Sequence, residues 1–166
     1  ACNALMDLNI LVLFVKNEVT DISNWISWHL SIGFDKIFIY DDHSDDGTFE
    51  VCKILSEFYN IEVKRTDIEC ETNFFIRQKL SYFDACKNSL HKYDWICFLD
   101  SDEYLFLESD DNIKDFLSSY KDCNAIALNW CIYGSSNKAI KNNIPIYESF
   151  VFHSSMELQD NKLVKS

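Results

Sequence analysis

Glycine and proline are nearly absent: Gly33, Gly47 and Gly134 are the only glycines and Pro145 the only proline in 166 residues. So few glycines leave no G-x-G-x-x-G and no P-loop, and no run of backbone amides to cradle a phosphate. Basic residues are scarce too, 15 Lys and Arg against 27 Asp and Glu, for a net charge of −12. That balance argues against nucleic acid and anionic membrane surfaces as main partners. A phosphate-bearing ligand would need a metal ion, or a local Arg or Lys, to enter an acidic cleft. No apolar run approaches the roughly 20 residues of a membrane span, so no transmembrane segment is expected, which leaves room for peripheral membrane association. Residues 8–15 lack the basic flank and small-residue cleavage site of a signal peptide, so no leader is expected either. The seven cysteines, at positions 2, 52, 70, 86, 97, 123 and 131, form no C-x-x-C. They suggest neither a zinc site nor a disulfide framework, but buried thiols of a reducing, cytoplasmic compartment.

What the chain has in quantity is apolar and aromatic residues, 48 % and 15 % of the total. That excludes a disordered chain, and the length fits one domain over residues 1–166. The organising stretch is residues 95–105, WICFLDSDEYL, a short apolar run that stops in three acids within four residues. Unpaired buried carboxylates cost several kcal/mol each, so the run must end at solvent or at a cation. If the chain stays extended, Asp100 and Asp102 face one point and Ser101 faces away. Two hard oxygen ligands at the carboxyl end of a buried strand suit Mg²⁺ or Mn²⁺, with a phosphate completing the shell. A solvated acidic turn explains the same residues without a metal.

Taken in order, residues 8–15 read as a buried parallel strand ending in Lys16-Asn17-Glu18. A helix is expected over residues 21–32, with Ile22, Trp25, Ile26, His29 and Leu30 at helical spacing, Thr20 or Asp21 as N-cap and Gly33 as stop. His29 reads as a packed core histidine rather than a ligand. Residues 36–40 form a second strand running into four aspartates within six positions, 41–46. A helix with Val51, Cys52, Leu55, Phe58 and Tyr59 on one face follows, then an edge strand over residues 61–68. Residues 72–92 predict a long helix with Ile76, Leu80, Phe83 and Leu90 on its apolar face and Arg77 near its start. After the acidic stretch come a short helix around Ile113 to Tyr120, a buried strand over residues 125–130 and a last strand over residues 147–153. Right-handed crossovers make this alternation a doubly wound α/β sheet with helices on both faces. The polar strand ends then share one edge, where open α/β sheets bind ligands.

Several segments together carry a family resemblance: KNE after the first strand, WISWHLSIGFD, YDDHSDDGT, RQ, WICFLDSDEYL and NWCIYGSS. From about Leu11 to Ser136 the chain resembles a glycosyltransferase of the family 2-like GT-A superfamily, and within it the family 92 group. The resemblance implies a GT-A-like, mixed but mostly parallel sheet, and transfer of a sugar from a nucleotide donor, a UDP-sugar, to a glycan or lipid-linked acceptor with inversion. It implies that Asn17 and Glu18 line the base pocket and that Asp41 contacts uracil or ribose. Asp100 then approaches ribose and metal, Asp102 binds the Mn²⁺ or Mg²⁺ that bridges the diphosphate, and Arg77 helps hold the nucleotide. Asn129 and residues 130–136 border sugar and acceptor. Family members continue well beyond the equivalent of Ser166, so C-terminal acceptor elements are expected to be missing. Glu148 and Glu157 are candidates for the catalytic base, and both also read as solvated surface acids.

Two rivals stand beside this reading. A haloacid-dehalogenase-type phosphohydrolase also sets D-x-D after a strand, the first Asp as nucleophile and the second as general acid. A degenerate nucleotide-sugar or metal-binding module would keep the fold without turnover. Donor sugar, acceptor and oligomeric state are not encoded in any motif here.

Overall fold

A computed structural model of the chain describes residues 8–108 and 110–129. Its contacts divide into two compact units, Ala1–Asp115 and Phe116–Ser166; the sheet and the described site residues belong to the first. The order is β1 (Asn9–Val15), α1 (Ile22–Ser31), β2 (Lys36–Asp41), α2 (Thr48–Ser56), β3 (Ile61–Arg65), α3 (Phe74–Ser89), β4 (Trp95–Phe98) and α4 (Ile113–Ser118). The four strands are all parallel in the order β3-β2-β1-β4. The fold is the α/β sheet with alternating strands and helices expected, with β3 at an edge and no antiparallel strand among the described residues.

Every residue of β1 is buried, as its unbroken NILVLFV run requires of a strand covered on both faces. Ile10, Val12 and Phe14 pack with Phe38, Tyr40 and Ala85 of α3, joined by Tyr82, Tyr93 and Ile96. Alternation turns Leu11, Leu13 and Val15 to the other face, the side left for α1 and α2, whose Ile22, Trp25, Ile26 and Cys52 are likewise buried. Gly33 ends α1 at φ +100, the left-handed conformation that closes helices most cheaply in glycine. Asp21 occupies the N-cap position without a side-chain capping bond; instead the Glu18 carbonyl accepts from the Asp21 and Ile22 amides.

Three expectations change. The long helix is shorter than 72–92, and it is turned: α3 buries Arg77, Ser81, Ala85 and Ser89, while Ile76, Leu80, Phe83 and Leu90 are exposed. Small residues four apart let the helix axis approach the sheet closely. The buried hydroxyls cost little because Ser81 and Ser89 donate to the Arg77 and Ala85 carbonyls one turn back. Periodicity found a stripe, but close approach selected a different one. On α2, Cys52 is buried as expected, but Phe58 and Tyr59 lie past the helix end, 73 % and 55 % exposed. Residues 125–129 form no strand and are mostly exposed; an apolar run becomes a strand only where a neighbour offers its hydrogen bonds. Trp130 and the expected strand at 147–153 lie outside the described residues.

Candidate functional site

In an all-parallel sheet the carboxyl ends of the strands share one edge. Here the order reverses between β1 and β4, which lie side by side and parallel at the centre and edge of the four-stranded order. Such a reversal splits the crossovers to opposite faces and opens a crevice above the two strands. Asn17-Glu18 follow β1, Asp41 ends β2 and Asp100 to Glu103 follow β4.

The loops after β1 and β2 are stitched together. The Asn17 amide donates to Ser44 Oγ at 2.9 Å, and Asn17 Oδ1 accepts from the Asp45 amide at 3.0 Å. The Glu18 amide donates to Thr48 Oγ1 and the Val19 amide to Asp46 Oδ2. Asn17 and His43 both adopt left-handed backbone (φ 57), which Asn and His tolerate better than most residues. Asp46 also accepts from the Thr48 amide and hydroxyl. Burial works to raise its carboxyl, but these bonds hold it below the ordinary range. This accounts for one of the four clustered aspartates as a loop tie.

Asp41 and Asp42 are both wholly buried, and each faces an arginine. Asp42 takes the Arg77 guanidinium in a fork, Nε to Oδ1 at 2.6 Å and Nη2 to Oδ2 at 2.7 Å. It also accepts from Thr66 Oγ1 at 2.7 Å. Burial pushes the Asp42 carboxyl up; the Arg77 and Thr66 bonds more than reverse this and hold it below the usual carboxylate range. Arg77 Nη1 donates to the Glu71 and Thr72 carbonyls. Asp41 is less well served. Its Oδ2 accepts from the Ser44 amide and lies 3.3 Å from Arg65 Nε, and Arg65 stacks on Phe49. Asp41 Oδ1 has no hydrogen-bond partner although it is buried.

After Phe98 the chain does not stay extended. The Glu103 amide donates to the Asp100 carbonyl at 3.1 Å, closing a turn over residues 100–103. The strand alternation expected for Asp100 and Asp102 therefore does not apply; the turn decides where they point. Glu103 Oε2 accepts from the Asp100 amide at 2.8 Å, so the third acid serves its own turn. Both aspartates are exposed.

Helix α1 holds this turn by its main chain. Trp25 Nε1 donates to the Glu103 and Asp100 carbonyls at 2.8 and 3.1 Å. Trp28 Nε1 donates to the Leu105 carbonyl at 2.8 Å, and His29 Nε2 accepts from the Leu105 amide at 3.3 Å. His29 Nδ1 donates to the Trp25 carbonyl. Burial lowers the His29 imidazole to about 4, and it is the packed core histidine expected. Sequence reasoning placed Trp25 and His29 on the buried face, did not single out Trp28, and missed what all three hold. The signal was present: two indoles and an imidazole at positions i, i+3 and i+4 of one helix, two of them on its buried face, carry polar atoms that must find partners.

The donor set fits a divalent cation shared with a phosphate ligand. Among the described residues no three His, Cys, Asp or Glu side chains gather closely enough to hold a metal alone. Asp100 and Asp102 remain, two exposed hard carboxylates beside the crevice, as a nucleotide-bridged Mg²⁺ or Mn²⁺ uses. Asn17, Glu18, Asp41, Asp100 and Asp102 thus lie on loops or strand ends at one sheet edge, and Arg77 stands behind Asp42. Glu148, Glu157 and residues 130–136 lie outside the described residues. No helix among the described residues is long and apolar enough to cross a membrane.

The glycosyltransferase family 92 model matches residues 11–163. Family 92 proteins of Oryza sativa subsp. japonica, Ricinus communis and Arabidopsis thaliana are 27 %, 27 % and 28 % identical over 107, 122 and 114 residues. These matches cover 64 %, 67 % and 63 % of this chain but only 17 %, 20 % and 19 % of those proteins. Among solved structures, S. aureus TarS 1–349 in complex with UDP superposes with a TM-score of 0.51 at 16 % identity. That match covers 69 % of this chain and 32 % of TarS.

Proposed function

The chain belongs to glycosyltransferase family 92, and from that premise we propose that it is a single nucleotide-sugar-binding catalytic domain. In this reading it takes a sugar from a UDP-sugar and passes it, with inversion, to a glycan or lipid-linked acceptor. The observation that carries the proposal is the exposed Asp100–Asp102 turn beside the β1–β4 crevice, in a chain with no glycine-rich phosphate cradle. TarS, which shares the fold, is in complex with UDP, and this supports a nucleotide-sugar donor as the ligand class. Family membership sets the phosphohydrolase alternative aside. The family 2-like subtype belongs to this proposal as well.

Asp100 and Asp102 would hold Mn²⁺ or Mg²⁺, and Asp102 is in that sense the catalytic carboxylate. A bound cation supplies Lewis-acid neutralisation of the leaving diphosphate, which this acidic edge cannot supply itself. Glu18 and Asn17 border the base, with Asn17 acting mainly through the loop it ties to Ser44 and Asp45. Asp41 is wholly buried with its Oδ1 unpartnered, so contact with a ribose hydroxyl or the uracil N–H requires the loops around it to open onto that oxygen. Arg77 acts one step back: its fork to Asp42 fixes the β2 end. The acceptor base, Glu148 or Glu157, completes the assignment.

Calorimetry with UDP in Mn²⁺ and in EDTA tests the reading, followed by turnover with a panel of UDP-sugars. Binding is expected only with the metal, and equal affinity in EDTA would sink it. Binding without turnover would leave a nucleotide-binding module. Asp41→Asn with unchanged UDP affinity would return Asp41 to a purely structural role.

A further inference from the structure

The Asp100–Asp102 turn is gripped through its backbone, and the grip comes from one helix. Four contacts from α1 converge within six residues: Trp25 Nε1 on the carbonyls of Asp100 and Glu103, Trp28 Nε1 on that of Leu105, and His29 Nε2 on the Leu105 amide. We propose that Trp25, Trp28 and His29 are positioning residues for the divalent-cation site, presenting the Asp100 and Asp102 carboxylates in one arrangement before the ion arrives. The inference rests on the reading of that turn as a metal site.

Three observations separate this from ordinary core packing. Trp25 and His29 are fully buried, where leucine or phenylalanine would fill space without demanding partners. Their side-chain bonds beyond α1 all go to the stretch from Asp100 to Leu105. The helix itself is anchored in the core, with Ile22 and Ile26 1 % exposed, so it can serve as a reference for a turn whose two aspartates are exposed. His29 donates from Nδ1 within α1, to the Trp25 carbonyl, which leaves Nε2 as the acceptor that Leu105 needs. Holding the loop beforehand lowers the ordering cost that cation binding would otherwise carry. Outer partners of metal ligands work in this way elsewhere, and removing them weakens metal binding about 10–100-fold.

The test compares Trp25→Phe, which keeps an aromatic ring but removes the N–H, with Trp28→Phe and with the packing control Ile26→Val. Two readouts are taken on the whole chain: amide exchange across residues 98–107, and the Mn²⁺ concentration that half-saturates UDP binding. Trp25→Phe is expected to speed exchange and to raise the half-saturating Mn²⁺ about 10–100-fold. Affinity for UDP at saturating Mn²⁺ should change far less, and Ile26→Val should alter neither readout. A Trp25→Phe protein with the wild-type Mn²⁺ requirement overturns the inference, even if exchange is faster, and leaves the metal reading standing. A wild-type chain whose UDP binding ignores Mn²⁺ overturns both. Should Trp25→Phe fail to fold, the half-buried Trp28→Phe decides by the same two measurements.

Discussion

Arg77→Met removes a charge from the most buried ion pair described in the molecule. The side chains of Arg77 and Asp42 are 9 % and 0 % exposed, with Nε 2.6 Å from Oδ1. Methionine keeps much of the volume, so what is lost is the fork to Asp42 and the donors to the Glu71 and Thr72 carbonyls. Asp42 would keep Thr66 as a partner but no cation in hydrogen-bond contact. Stranding one member of a buried pair costs about 3–5 kcal/mol. At about 2–4 °C per kcal/mol for a chain of this size, the melting temperature should fall by roughly 6–20 °C.

The pH dependence supplies the refutation. In the wild type the Asp42 carboxyl is held below its ordinary value, so its contribution is complete above the unfolded carboxylate range. It is lost only as pH falls through the lower folded value. In the variant the Arg77 bonds and charge are gone and only Thr66 and Lys16 still oppose burial, so the same carboxyl rises and protonation relieves the stranded charge as pH falls from neutral. Urea unfolding at pH 7 and pH 5 should therefore show a smaller gap between the two proteins at the lower pH. A gap under about 1 kcal/mol at pH 7, or one that does not narrow, would refute the reasoning. Lys64→Ala serves as the contrast. Its pair with Asp84 is 40 % and 44 % exposed, and removing it should cost no more than about 1 kcal/mol.

Three further outcomes are expected. Asp102→Asn should abolish the Mn²⁺-induced rise in melting temperature while leaving apo stability level or higher; an equal rise in both proteins would remove Asp102 from the metal site. Because burial lowers the His29 imidazole from 6.5 to about 4, the unfolded chain takes the proton first. Stability should then fall between pH 6.5 and 4 by an amount on the order of 3 kcal/mol, and His29→Gln unfolding curves should lack that component. On α3, Ala85→Leu should cost about 1–3 kcal/mol by overpacking against β1. Phe83→Ser, at a position 69 % exposed, should change stability by about 0.5 kcal/mol or less. Thermal melts in which Phe83→Ser is the worse of the two would restore the apolar stripe as the buried face.

Some of this protein is legible one residue at a time. The unbroken apolar run of β1 demands cover on both faces, Gly33 ends α1, and the polar breaks after three runs mark strand ends. These are local facts, set by burial cost and backbone freedom. Alternation of strands and helices, with handed crossovers, then brings those ends to one sheet edge. What depended on tertiary structure involved partners far apart in the chain. Arg77 finds Asp42 across 35 positions, and Trp25 finds Glu103 across 78, distances over which no periodicity reports. The buried face of α3 was settled by how closely a helix can lie on a sheet, which Ser81 and Ala85 permit and Leu80 and Phe83 do not. The acids after β4 were visible as acids from the start. Only the turn that Glu103 closes, and the helix behind it, decided which of them face outward, because a carboxylate's direction follows the backbone it hangs from.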